Sequence, residues 1–126
     1  MIYSGEKDPV VNIYGNGIKI NGQYGLIIYF NNITDIHLIE KSMRDIGIGI
    51  RTNGYDSGAG EALKGHFRSN ALGDYMLFVQ KNSSPTIRIE RTNAKDVYLS
   101  FRTAEATTKL YNDMMAAFAD VPAGTF

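Results

Sequence analysis

Residues 97–120, VYLSFRTAEATTKLYNDMMAAFAD, contain a change of hydrophobic period that indicates the architecture. Apolar residues alternate up to position 101, as in a strand with one buried face. Residues 103–120 hold no Gly or Pro and are rich in good helix formers. One apolar stripe at helical spacing comprises Thr107, Leu110 or Tyr111, Met114 and Phe118. We therefore predict a terminal helix, N-capped by Thr103 and closed by Pro122 and Gly124.

The chain before this helix predicts about seven strands. They are residues 17–20, 24–30, 33–40, 46–52, 75–79, 86–91 and 97–101. Asn21-Gly22 predicts a tight hairpin between the first two, since both residues tolerate positive φ. In the fourth, Gly47 and Gly49 alternate with isoleucines and indicate a bend or a close backbone approach. The connections are short enough to predict antiparallel hairpins throughout.

The composition excludes several classes of function. The 126 residues suit one domain, and the absence of cysteine excludes disulfides, Cys-based zinc sites and thiol nucleophiles. The formal net charge of zero argues against a nucleic-acid partner. No signal peptide or membrane-spanning stretch is apparent. We predict an N-terminal arm or linker at residues 1–16, a domain at 17–120 and a tail at 121–126.

Glycines, aromatics and apolar residues spaced through residues 17–118 resemble a bacterial pleckstrin-homology-like domain family. The matching segments are IKI at 18–20, Gly25, DI at 35–36, RTNGY at 51–55, KGHFR at 64–68, Gly73, YMLFV at 75–79, Thr107 and LY at 110–111. The resemblance implies a mainly β, α+β fold, a barrel of about seven antiparallel strands capped by one C-terminal helix. It also implies a non-catalytic interaction module that binds a protein partner or self-associates at or near a bacterial membrane.

The resemblance also bears on location and on lipid ligands. Members of the family often follow a pair of membrane helices, so we expect a cytoplasmic domain, or one at the cytoplasmic face of a membrane if such helices lie upstream. Relatives that bind phosphoinositides carry several basic residues on the first two strands and the loop between them. Residues 19–24 offer Lys19 alone. One lysine cannot replace several charge-assisted bonds, which argues against inositol phosphate binding.

Residues 64–102 form the basic part of the chain, with seven basic residues against three acidic ones. The candidate residues for ligand or partner binding are Lys64, Arg68, Arg88 and Arg91. If their side chains share a sheet face, that face could bind anionic lipid peripherally. A solvated polar face is the other interpretation.

Asp35 and His37 lie two apart in a predicted strand and therefore share a face. An acid that orients an imidazole base is typical of acid–base catalysis, which leaves a small α+β cup enzyme as a further alternative. Such cups usually place helices before the sheet, and no serine has a nucleophile-elbow context. We therefore predict no enzyme, cofactor or metal ligand. His66 is interpreted as a packing or edge residue, and residues 54–60 as a hairpin end or a recognition loop.

Overall fold

The protein, seen in a computed structural model, is described over residues 8–56 and 60–121. These residues form nine strands in two sheets and a long C-terminal helix, which confirms the predicted mainly β, α+β class. The strands are β1 (Val11–Tyr14), β2 (Gly17–Ile20), β3 (Leu26–Tyr29), β4 (Ile33–Ile39), β5 (Ile50–Asp56), β6 (Ala62–Ser69), β7 (Gly73–Gln80), β8 (Thr86–Arg91) and β9 (Asp96–Leu99). The helices are α1 (Met43–Ile46) and α2 (Ala104–Ala119), and Phe30–Asn32 form a 3-10 turn.

The three-stranded sheet has the order β1-β2-β3 and is antiparallel. Its β2–β3 hairpin confirms a hairpin at Asn21-Gly22, where Gly22 has a φ of 95°, but the connection spans residues 21–25 and is not the tight turn predicted. Val11–Tyr14 lie inside the segment predicted as an arm and pair with β2, so that segment contributes a strand to the fold.

The six-stranded sheet has the order β4-β8-β9-β7-β6-β5. The pairing of β7 with β9 is parallel, and β8 lies between β4 and β9. The prediction that hairpins join all the strands is therefore wrong for this part of the chain. Short connections allowed hairpins, but β8 crosses over to pair with β4, a strand that precedes it by a long stretch of sequence.

The strand predicted at residues 46–52 is confirmed only from residue 50 onward. The Ser42 side chain accepts a hydrogen bond from the Asp45 backbone N–H and caps α1, which ends at Gly47 with a φ of 128°. The strand starts at Ile50 instead. The close approach predicted at these glycines is confirmed at Gly49, where an added Cβ would overlap the Arg68 carbonyl oxygen.

The main core lies between the two sheets and α2. It combines Ile18 and Ile28 of the small sheet with Ile87 and Ile89 of the large one, and with α2 side chains. Leu110 and Met114 of α2 are buried, which confirms the apolar stripe. The Thr103 side chain accepts from the Ala106 N–H, which confirms the N-cap. Pro122 and Gly124 lie outside the described residues.

A second core covers the opposite face of the six-stranded sheet. Its buried residues are Met43, Leu63, Phe67, Tyr75, Leu77, Val79 and Tyr98. Met43 belongs to α1, and Ile46 and Ile48 pack against this core from the segment that follows. The Tyr75 hydroxyl accepts a 2.8 Å hydrogen bond from the Gly49 N–H. On β4, β8 and β9 this same face carries charged side chains, and these form the candidate site.

Candidate functional site

The strand register brings five charged or titratable side chains together. Asp35 pairs with Glu90 and His37 pairs with Arg88 across the β4–β8 ladder. A register shift between Ile33 and Asp35 precedes them. Side chains in register on antiparallel strands share a face. We call Asp35, His37, Arg88, Glu90 and Asp96 the polar cluster.

His37 lies between two carboxylates. Its Nε2 is 3.4 Å from Asp35 Oδ2 and 3.5 Å from Glu90 Oε1, which confirms that Asp35 and His37 share a face. Nε2 is shielded from solvent and has no hydrogen-bond partner in the described part of the chain. The Ile36 N–H donates to Asp35 Oδ1 at 2.8 Å and so fixes the orientation of that carboxylate. The cluster thus offers one imidazole nitrogen and two carboxylate oxygens at close range.

Arg88 neutralises the other side of the cluster. Its Nε and Nη2 donate to Asp96 Oδ2 at 3.0 and 2.8 Å, and Nη2 lies 3.0 Å from Glu90 Oε1. Partial burial acts to lower the pKa of Arg88, but the Asp96 hydrogen bond and nearby acidic groups outweigh it and raise that pKa. Burial also raises the pKa of the Tyr98 hydroxyl. Arg88 therefore stays a cation within the described cluster of three carboxylates.

The four predicted binding residues do not share one face. Across the sheet, Arg88 of β8 pairs with Tyr98 of β9, which pairs with Leu77 of β7, which pairs with Gly65 of β6. Lys64 is the neighbour of Gly65 in β6. Neighbouring residues of a strand point to opposite faces, so the strand alternation assigns Lys64 and Arg68 to the face opposite Arg88. Arg91 lies three residues beyond Arg88, on that opposite face too.

Two of these basic residues have described partners outside the polar cluster. Arg68 Nε donates to Asp74 Oδ1 at 2.6 Å, a contact that raises the pKa of Arg68 and lowers that of Asp74. Arg91 Nε donates to the Lys95 carbonyl oxygen at 2.8 Å, and burial lowers the pKa of Arg91. The Arg68–Asp74 ion pair offsets part of the positive charge that the sequence suggests for residues 64–102.

His66 lies on β6, an inner strand of the large sheet. Its Nδ1 is 2.8 Å from Lys95 Nζ. An ammonium group can only donate, so Nδ1 accepts and the ring is neutral. Burial, and then the charge of Lys95, lower the pKa of His66.

The three-stranded sheet exposes an apolar surface. Val10, Tyr14, Ile27 and Tyr29 have exposed fractions of 59, 53, 52 and 45%. We call these four residues the outer apolar face. Tyr14 and Tyr29 flank Gly17 in register, and Lys19 lies beside Ile27 in the next row. A shallow depression of about 310 Å³ adjoins the face at the β2–β3 turn and is lined in part by Lys19, Asn21 and Ile27.

Sequence reasoning missed part of both sites. The outer apolar face was hidden because residues 1–16 were interpreted as an arm, although Val11 and Ile13 alternate with Asn12 and Tyr14 there. The sequence does not single out Glu90, because its position beside His37 depends on the long-range β4–β8 pairing. No local signal gives that register.

Comparisons with protein-family models, with curated proteins and with solved structures give no significant match. Among the described residues, no helix has the length and apolar character needed to cross a membrane. Functional inference therefore depends on the geometry of the chain itself.

Proposed function

We propose that this chain is a non-catalytic interaction module that binds a protein partner through the outer apolar face. The observation that carries the proposal is the exposure of Tyr14, Ile27 and Tyr29 on one face of the three-stranded sheet, together with the exposed Val10 directly before β1. Monomeric soluble proteins rarely expose large contiguous apolar patches that have no binding role. Tyrosine in particular is enriched at the centres of protein interfaces.

The exposure of these side chains is fixed by the core. Ile18 and Ile28, on the inner side of β2 and β3, are 0 and 1% exposed. A one-residue slip would move such residues into solvent, so the register of this sheet is strongly specified. Tyr14 and Tyr29 are thus held outward on a rigid support. Presenting rigid aromatic side chains lowers the entropy lost on binding.

The chemistry of this face defines the partner expected. The exposed Lys19 lies between Asn12 and Ile27 in the register of this face, and no acidic residue occupies β1, β2 or β3. A complementary surface would present an apolar patch with a carboxylate opposite Lys19. Such a surface on a folded protein, or on a second copy of this chain, fits better than a phosphorylated ligand because one lysine supplies little anion binding.

We also propose that the two sheets and α2 together correspond to a pleckstrin-homology-like barrel. The order of the elements supports this, since every described strand precedes the long helix. The packing of α2 against a core shared by both sheets supports it as well. A location at or near a bacterial membrane remains a prediction from the same resemblance.

A photo-crosslinking side chain at position 29 tests the proposed function. The full chain carrying it is expressed in the source cells, and the same group at Ile50 serves as the control. Ile50 is 69% exposed but lies on β5, in the other sheet. A specific crosslinked partner is expected from position 29 and not from position 50. Equal crosslinking from both positions would contradict the proposal.

The purified partner then allows a quantitative measurement by calorimetry. The double variant Tyr14→Ser/Tyr29→Ser is expected to weaken binding by at least about tenfold, because central aromatic residues dominate interface energies. Ile50→Ser should bind as the wild type does. Far-UV circular dichroism and melting curves verify that both variants fold. An affinity unchanged in the double variant would place the interface elsewhere.

A further inference from the structure

The ligating atoms of Asp35, His37 and Glu90 have the spacing of a metal site. All three lie within 4.8 Å of one another, and His37 Nε2 is 3.4 and 3.5 Å from the two carboxylate oxygens. Ligands at about 2.0–2.1 Å from a tetrahedral zinc ion are separated by about 3.3–3.4 Å. Two of the three separations therefore match such a site almost as they stand.

His37 Nε2 supplies a second observation that points to a ligand. The atom is shielded from solvent and, among the described residues, has no hydrogen-bond partner. The distances from this nitrogen to the Asp35 and Glu90 oxygens are longer than the roughly 2.7–3.2 Å that is usual for N–H···O hydrogen bonds. An unsatisfied buried nitrogen is costly. One cation between the ring and the carboxylates would satisfy all three groups together.

The charges of the cluster favour a cation. Arg88 pairs with two of the three carboxylates of the cluster, Glu90 and Asp96, whereas Asp35 lies beside His37. Arg88 makes two hydrogen bonds to Asp96 and only one contact to Glu90. A carboxylate has about four lone-pair positions, so Glu90 can keep its contact with Arg88 and still ligate a metal.

Neighbouring contacts orient the ligands. The Ile36 N–H holds Oδ1 of Asp35, which leaves Oδ2 directed toward His37. Arg88 Nη2 lies 3.0 Å from Glu90 Oε1, the same oxygen that faces His37 Nε2, and so orients that oxygen. Partners of this kind orient metal ligands in proteins and raise metal affinity. The His37 and Asp35 side chains are 40% and 56% exposed, so the cluster lies at the protein surface although Nε2 itself is shielded.

We propose that Asp35, His37 and Glu90 bind a divalent transition-metal ion, with Zn²⁺ the best fit. An imidazole ligand suits zinc, whereas Mg²⁺ and Ca²⁺ prefer sets of six or more oxygen ligands. Three protein ligands leave one position of the tetrahedron open. This site lies on the six-stranded sheet and is independent of the outer apolar face.

Calorimetric titration of the metal-free full chain with ZnCl₂ tests the proposal. We expect one ion per chain, and binding at least about tenfold weaker in His37→Gln and in Glu90→Gln. The matched control is His66→Gln, because the chain has only these two histidines. His66→Gln should bind zinc with wild-type affinity, and MgCl₂ should give no comparable binding.

Nuclear magnetic resonance of the two imidazole rings keeps the test valid if a variant fails to fold. In the wild type, ZnCl₂ should shift the ring signals of His37 and leave those of His66 in place. A site with three protein ligands should bind zinc at concentrations well below about 1 mM. The proposal is therefore overturned if zinc up to about 1 mM produces neither a binding heat nor a shift of the His37 ring signals. It is equally overturned if His37→Gln binds zinc unchanged, or if His66→Gln alone loses binding.

Discussion

Gly49 has a role that no other residue can fill at its position. An added Cβ would overlap the carbonyl oxygen of Arg68 and crowd the side chain of Ser69, and the Gly49 N–H donates to Tyr75. The segment after α1 can therefore approach β6 closely only because residue 49 has no side chain. This contact helps to hold Ile46 and Ile48 on the second core.

Gly49→Ala is expected to destabilise the protein by about 1–3 kcal/mol, the usual cost of forcing atoms into a packed site. Urea unfolding followed by far-UV circular dichroism measures this. The control is Gly15→Ala, where an added Cβ meets no atom within 4 Å. That variant should stay within about 0.5 kcal/mol of the wild type. Equal stability of the two variants would disprove the close approach.

His66 makes stability depend on pH. Burial and Lys95 hold the pKa of the folded-state ring below its usual value of 6.5. As the pH falls below 6.5, the unfolded chain binds a proton before the folded one does, so the stability of the fold decreases. His66→Gln removes this effect. The variant should lose less stability than the wild type when the pH falls from about 7.5 to about 5.5.

Urea unfolding at the two pH values measures this difference, with EDTA present so that metal binding at His37 does not contribute. The ring signals of His66 give its pKa directly. A larger pH-dependent loss in His66→Gln than in the wild type would show that the sign of the effect is wrong.

At the level of the element, α2 shows how a local pattern and a tertiary contact agree. Thr103 caps the helix, and the apolar stripe of the helix packs into the core at Leu110 and Met114. The Phe118 ring lies 5.8 Å from that of Phe30, in the turn between β3 and β4. The helix was predictable because its signals lie within one stretch of sequence. The four-residue helix α1 carries too little periodicity to predict, and its single turn depends on the Ser42 cap.

Met114→Ala is expected to destabilise the protein by about 2–5 kcal/mol, because the wild-type side chain is fully buried and leaves a cavity. Asn112→Ala, on the exposed side of the same helix, should change stability by less than about 0.5 kcal/mol. Thermal and urea unfolding of both variants check this. If Met114→Ala were as stable as Asn112→Ala, α2 would not pack on the main core as described.

At the level of the whole molecule, the sequence predicts composition-dependent and local features better than sheet order. The mainly β class, the β2–β3 hairpin and α2 each follow from neighbouring residues. The order β4-β8-β9-β7-β6-β5 does not, since the pairing of β4 with β8 joins distant segments. The same limit applies to the polar cluster. Asp35 and His37 could be placed on one face from their spacing, whereas Glu90 and Arg88 reach them only through that pairing.

The position of β8 between β4 and β9 has a consequence for biosynthesis. Within the described residues β4 pairs with β8 alone, so the segment Ile33–Ile39 leaves the ribosome well before its partner exists. Pairings between distant segments form slowly, and an unpaired strand edge invites association with other chains. The nascent polypeptide therefore carries an unpaired β4 edge until β8 has been synthesised, and the large sheet is completed only after that point.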